Sequence, residues 1–215
     1  MSEKRLYFSD TMISRMNTTW ALQNAIAALP EGEPFFPAQF LGLASRASID
    51  QTLSRLVKAG KISRITRGVY VRPKKSPYVG VVMPEPRAIA EGVAASQGAT
   101  IQVHGAEAAR RMELTTQMPT QPIYYTTGRS RNITVGKLRI RLQHASPKTL
   151  SMAGRPAGLA LTALRYLGKR NVTLEVIAHV RRKLPAQEFE ALRTASAVMP
   201  AWLADALNRE ARLHA

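Results

Sequence analysis

At Gly60 the spacing of apolar residues changes, and no other feature constrains the N-terminal part of this chain as strongly. Before it, Ile49, Leu53, Leu56 and Val57 recur at helical spacing in a segment that Ser45 can cap and Gly60 can stop. After it the period drops from 3.6 towards 2. Lys61-Ile62-Ser63-Arg64-Ile65-Thr66 and Val69-Tyr70-Val71 read as two strands turning at Arg67-Gly68. Upstream, Trp20, Leu22, Ile26 and Leu29 form a helical stripe with Thr18 or Thr19 as its cap, ended by Pro30-Glu31-Gly32. Phe35-Phe36-Pro37 then opens a short helix from Ala38 to Leu43. Helix, short helix, capped helix and basic hairpin is the order of a winged helix-turn-helix.

If the apolar stripe of the helix from Ser45 to Ala59 faces a core, Arg46, Ser48, Gln51, Thr52 and Arg55 are expected to face outward. Such a helix fits the major groove of B-DNA, where Gln pairs with adenine and Arg with guanine through two hydrogen bonds. Arg64, Arg67 and Arg72 would then lie beside a phosphate backbone or minor groove, setting position while the helix selects sequence. Tyr70 reads as packing of the hairpin rather than as a base contact. The same elements would also serve a winged helix used for protein contact, with Gln51 and Arg55 merely exposed.

The charge has a layout as well as a total. Formal net charge is +17, from 31 Lys and Arg against 14 Asp and Glu. No acid occurs between Asp50 and Glu85, where Arg55, Lys58, Lys61, Arg64, Arg67, Arg72, Lys74 and Lys75 fall. None occurs between Glu113 and Glu175 either, a stretch that includes Arg129, Arg131, Lys137, Arg139, Arg141 and Lys148. A solvated basic face is the bland reading of one such block; two of them point to a polyanionic partner, with nucleic acid first.

Pro73 to Pro86 reads as a linker or an ordered crossover. Beyond it, helices are expected at Arg87–Gln97 and Ala106–Met112, and strands at Thr100–Val103, Ile123–Thr126 and Lys137–His144. Four helices follow from Ala157. The expected fold class is α+β: a winged helix-turn-helix domain over residues 1–75, then a mixed α/β domain over 76–215 that ends in a helical bundle.

The stretch SRASIDQTLSRLVKAGKISRITRGVYVRP resembles the N-terminal winged helix of AbiEi-type antitoxins of type IV toxin–antitoxin systems. The likeness continues through HGAEAARRMELTTQMPTQPIYYTTGRSRNITVGKLRIRLQHA and covers roughly residues 15–170. The second segment is the more discriminating, because many regulators share a winged helix. The resemblance implies a repressor that binds inverted repeats in double-stranded DNA of its own promoter. It also implies a C-terminal domain that neutralises a nucleotidyltransferase-like toxin, functionally and without a stable complex. Carried over, Arg46, Ser48, Gln51, Thr52 and Arg55 match the recognition helix, and Arg64 and Arg67 the wing. His104, Gln117, Thr127, Arg129, Ser130 and Arg131 match the second domain, whose expected surface also includes Arg139 and Arg141. The compact C-terminal part departs from a longer antitoxin form, which leaves a free-standing regulator open. An RNA-binding factor using the central basic domain, or an antitoxin that only binds protein, are the other readings.

Catalysis is not expected. Phosphate-binding-loop and G-x-S-x-G patterns are absent, and Asp10, Asp50 and Asp205 are the only aspartates. Residues 114–174 carry no carboxylate to hold a catalytic metal, and His104, His144, His179 and His214 lack metal-ligand spacing. No metal or cofactor is expected. His104, before Gly105, reads as a helix-start residue. Thr127 to Asn132 (TGRSRN) reads equally as a phosphate-holding loop or an exposed basic turn. With no cysteine, no apolar run of the ~18–20 residues that span a bilayer and no apolar leader in Met1 to Asp10, a cytoplasmic protein is expected.

Overall fold

The computed structural model describes residues 19–76 and 80–213. Met1 to Asp10, the candidate cap Thr18 and His214 lie outside these residues. The chain is mixed α and β and divides into two compact units, residues 1–96 and 97–215.

In the first unit, helix α1 covers 19–27. A two-residue strand β1 (Pro34–Phe35) and a 3-10 helix (Pro37–Phe40) follow. Proline opens that short helix, and Phe36 N donates to Gln39 Oε1 at 3.0 Å. Helix α2 (Arg46–Lys58) is capped by Ser45, whose Oγ accepts from Ser48 N at 3.3 Å. Gly60, at φ +68°, lets the chain leave the helix, and residues 63–66 and 69–71 form strands β2 (Ser63–Thr66) and β3 (Val69–Val71).

The sheet order is β1-β3-β2, all antiparallel, with Phe35 opposite Tyr70. Leu22, Ile26, Phe35, Phe40, Ile49, Leu53, Leu56, Ile62 and Tyr70 make one core. Within it Phe35 stacks on Tyr70 at 5.9 Å and meets Phe40 edge-on at 6.0 Å. Tyr70 is therefore packing, as its sequence context suggests. Trp20 is not: it is 67% exposed. Two residues before Leu22 is about 200° around a helix, so Leu22, Ile26 and Leu29 leave it on the opposite face.

The stretch read as a linker forms a two-stranded ladder, β4 (Lys74–Ser76) with β5 (Gly80–Val82). Helix α3 (Pro86–Ala95) then packs back on the first unit. Its Gly92 lies against Phe36, and a Cβ there would stand 1.8 Å from the ring. That close approach is why the first compact unit continues past residue 75.

In the second unit, strand β6 (Ile101–Val103) leads to helix α4 (Gly105–Arg111) and strand β7 (Ile123–Thr126). Strands β8 (Arg131–Val135) and β9 (Leu138–His144) form a hairpin whose two-residue loop begins with Gly136 at φ +58°. The order is β6-β7-β9-β8, with β7 and β9 parallel. Strand β8 occupies residues that the sequence reading gave partly to a loop. Helices α5 (Pro156–Leu167), α6 (Leu174–Lys183), α7 (Ala186–Thr194) and α8 (Ala201–Leu213) complete the unit. Gly105 lies against Tyr166 and Gly158 against Met152, and buried Ala108, Ala109, Ala160 and Ala163 accompany them. Gly105 and the alanines let α4 and α5 approach closely, and Gly158 lets α5 lie against the backbone of the segment before it. No helix among the described residues is long and apolar enough to cross a membrane.

Candidate nucleic-acid interface

Ile49, Leu53 and Leu56 fix one side of α2 in the core of the first unit. Gln51 and Arg55 are exposed on its other side. They line an open groove of about 910 Å³ together with Thr19, Leu22, Leu43 and Ser48. Beyond the helix, Lys58, Lys61, Arg64 and Arg67 are all exposed and form no ion pair among the described residues. Arg55 and Lys58 also sit in the last turn of α2, where positive charge complements the helix dipole by about 0.3–1 kcal/mol. That role needs no ligand. It does not extend to Arg64 and Arg67 on the hairpin.

Several expected site residues are placed differently. Thr52 is 3% exposed rather than outward, because it stands three residues after Ile49 and four before Leu56 and so flanks the apolar stripe. Ser48 is half-buried and bound into the cap, its Oγ 3.0 Å from that of Ser45. Arg46 is exposed but pairs with Asp50 at 3.0 Å. Arg72 does not belong to a free basic edge: its guanidinium donates to Leu29 O and, at 3.3 Å, to Glu31 Oε1. It ties β3 to the end of α1, a long-range contact that local sequence does not show.

In the second unit the loop read as TGRSRN is stitched to its neighbours. Thr127 Oγ1 accepts from Thr100 N at 2.9 Å, and Thr126 Oγ1 from Gly128 N at 3.0 Å. Ser130 Oγ accepts from His144 N at 2.8 Å. With its amide oxygen turned towards Arg131, Gln97 accepts from both terminal nitrogens at 3.0 and 3.1 Å. Burial lowers the Arg131 pKa. Thr127, Ser130 and Arg131 thus hold strand ends together, and Arg129 is exposed. Gln117 is exposed in the loop after α4, where its backbone N donates to Thr115 Oγ1 at 3.2 Å.

His104 caps α4, its Nδ1 accepting from Ala106 N at 3.3 Å. Its ring lies 4.9 Å from Tyr125 and 5.8 Å from Tyr166. Burial first, and the charge of Arg141 second, lower its pKa and favour the neutral ring. Burial raises the pKa of Tyr125. Arg139 and Arg141 are exposed on β9 and line an open basin of about 700 Å³ with Asn132 and Thr134 of β8.

The sequence reading did not single out Gln102, Tyr125, Gln143, Thr134 or Tyr166. The alternation in Ile123–Thr126 and Leu138–His144 was the available signal. No group of three or more His, Asp or Glu that could hold a metal occurs among the described residues. The most strongly shifted carboxylate, Glu107 at about pKa 2, is held down chiefly by its hydrogen bond to Arg110. It serves α4 rather than a cleft.

No curated protein matches the chain. A crystal structure of the Rv2827c protein from Mycobacterium tuberculosis is similar at 13% identity with a TM-score of 0.45, over 89% of this chain and 77% of that one. Residues 21–192 match the model of DUF6088, described as a family of unknown function, and the chain belongs to that family.

Proposed function

We propose that the first unit is a winged helix-turn-helix that binds duplex DNA, with α2 in the major groove and the β2–β3 hairpin on the flanking backbone. One observation carries the reading: α2 presents Gln51 and Arg55 outward, and the exposed cations Lys58, Lys61, Arg64 and Arg67 continue from it with no acidic partner among the described residues. Gln51 and Arg55 read bases, and the four cations bind phosphate. Thr52 acts in helix packing, and Arg46 is a weaker contact because Asp50 competes for it.

The sequence resemblance extends this reading to a cytoplasmic repressor of its own operon that is also an antitoxin against a nucleotidyltransferase-like toxin. In that role the chain acts by binding and not by catalysis. The test is anisotropy of labelled duplexes from the DNA preceding the chain's own reading frame, against scrambled duplexes. Tight, salt-sensitive, sequence-dependent binding is expected, and Gln51→Ala or Arg55→Ala should each cost about 1–3 kcal/mol on the preferred duplex. Equal binding of both duplexes by parent and variants would remove the recognition-helix assignment.

A further inference from the structure

The four-stranded sheet of the second unit has two unlike faces. Tyr124, Thr126, Ile133, Val135, Ile140 and Leu142 alternate onto a buried one. Strand register sets the other out in rows. Gln102, Tyr125 and Gln143 stand side by side, as do Ile123, Arg141 and Asn132, with Arg139 opposite Thr134. Arg139, Arg141, Asn132 and Thr134 are exposed on it.

Several basic residues of the unit are held in ion pairs, whereas the two arginines of this face, like other cations of the unit, are in none among the described residues. Arg110 and Arg111 pair with Glu107, Arg155 with Glu188, Arg181 with Glu210, Lys183 with Glu113 and Arg193 with Glu190. Arg139 and Arg141 have no such partner among the described residues, and residues 114–174 contain no acid to supply one. Beside Arg141, which acts electrostatically on His104, lies the ring cluster of His104, Tyr125 and Tyr166. Tyr166 is 48% exposed.

We infer that this open face binds single-stranded nucleic acid, with Arg139 and Arg141 on the phosphates and the rings at its edge stacking bases. Gln143 stands between Arg141 and Tyr125, with Gln102 on the far side of Tyr125 and Asn132 on the far side of Arg141, so amides capable of hydrogen-bonding base edges flank both groups. A duplex keeps its base faces stacked inside, so rings beside a flat sheet are useful only to splayed bases. Four strands at about 4.8 Å spacing give room for roughly two or three bases. This site is separate from the duplex-reading helix and stands if that reading fails.

The test uses the full chain with a short labelled single-stranded RNA, the same sequence as single-stranded DNA, and a duplex of it. Tighter binding of a single strand than of the duplex is expected, and the tighter of the two single strands names the source of the ligand. Tyr166→Ala should weaken it about tenfold. Arg139→Ala and Arg141→Ala should each reduce its salt slope by about 0.7. Arg64→Ala and Arg67→Ala, which lie outside this face, should weaken single-strand binding less than either arginine variant of the sheet does. Melting curves check that the variants fold, and their exposed positions favour it. Absence of single-strand binding, full retention of it in the Arg139, Arg141 and Tyr166 variants, or its loss in the Arg67 variant would each overturn the inference. So would loss of duplex binding alone in the Arg139 and Arg141 variants.

Discussion

If the first unit binds duplex DNA as proposed, removing the four cations that follow Gln51 and Arg55 has a computable effect on that binding. Lys58, Lys61, Arg64 and Arg67 are exposed and unpaired among the described residues, whereas Arg72 is engaged by Leu29 and Glu31. Each phosphate neutralised contributes about −0.9 to the slope of log K against log salt, so four contribute about −3.6. Between about 50 and 200 mM salt that component weakens binding roughly 150-fold. Losing one cation leaves a contribution of about −2.7 and a change of roughly 40-fold.

The assay is anisotropy of a labelled short duplex of arbitrary sequence at several salt concentrations, because the phosphate component does not depend on sequence. Arg67→Ala should flatten the slope by about 0.9, and Arg67→Lys should restore it, since the contact is one of charge. Arg72→Gln should leave the slope unchanged. If Arg72→Gln flattens it as much as Arg67→Ala, or Arg67→Ala leaves it intact, free and engaged cations are not the distinction that matters. The assignment of the hairpin to DNA would then fail.

Other consequences follow from packing and protonation. Gly92→Ala would place a methyl 1.8 Å from the Phe36 ring, so thermal unfolding should show a loss of about 1–3 kcal/mol or more. Ser45→Ala removes the cap of α2 and should cost about 1 kcal/mol in denaturant unfolding, with DNA affinity falling as the helix frays. Arg72→Gln should cost about 1–2 kcal/mol through the lost tie to α1, although it spares the salt slope. Glu107 has a folded pKa depressed to about 2, so its contribution is present above the ordinary carboxylate range and is lost as pH falls towards 2. Glu107→Gln should therefore be less stable than the parent at neutral pH by roughly 2 kcal/mol, with the gap narrowing in acid. A gap that stays constant down to pH 3 would contradict that assignment.

Local signals made the first unit legible. The Ser45 cap, the Ile49–Leu53–Leu56 stripe and Gly60 bound α2 to within a residue or two, and a glycine turn between short apolar alternations marked β2 and β3. Trp20 shows the cost of counting apolar residues without their angle, since a two-residue offset puts it opposite Leu22. Strand β8 was obscured because it begins Arg131-Asn132 and buries only Ile133 and Val135. The parallel pairing of β7 with β9 is non-local, and no periodicity carries it. The same limit applies to the site: exposure of Gln51 and Arg55 follows from helix period, but the engagement of Arg72 by Leu29, of Ser130 by His144 and of Arg131 by Gln97 depends on tertiary neighbours.

Selection from randomised duplexes, run in parallel with the parent chain, Gln51→Ala and Arg55→Ala, tests the central claim most directly. The account expects the parent to enrich a defined motif. The Arg55 variant should lose preference at one guanine, the Gln51 variant at one adenine, and both should keep the rest of the motif. Identical motifs from all three proteins, or no motif from the parent, would contradict it.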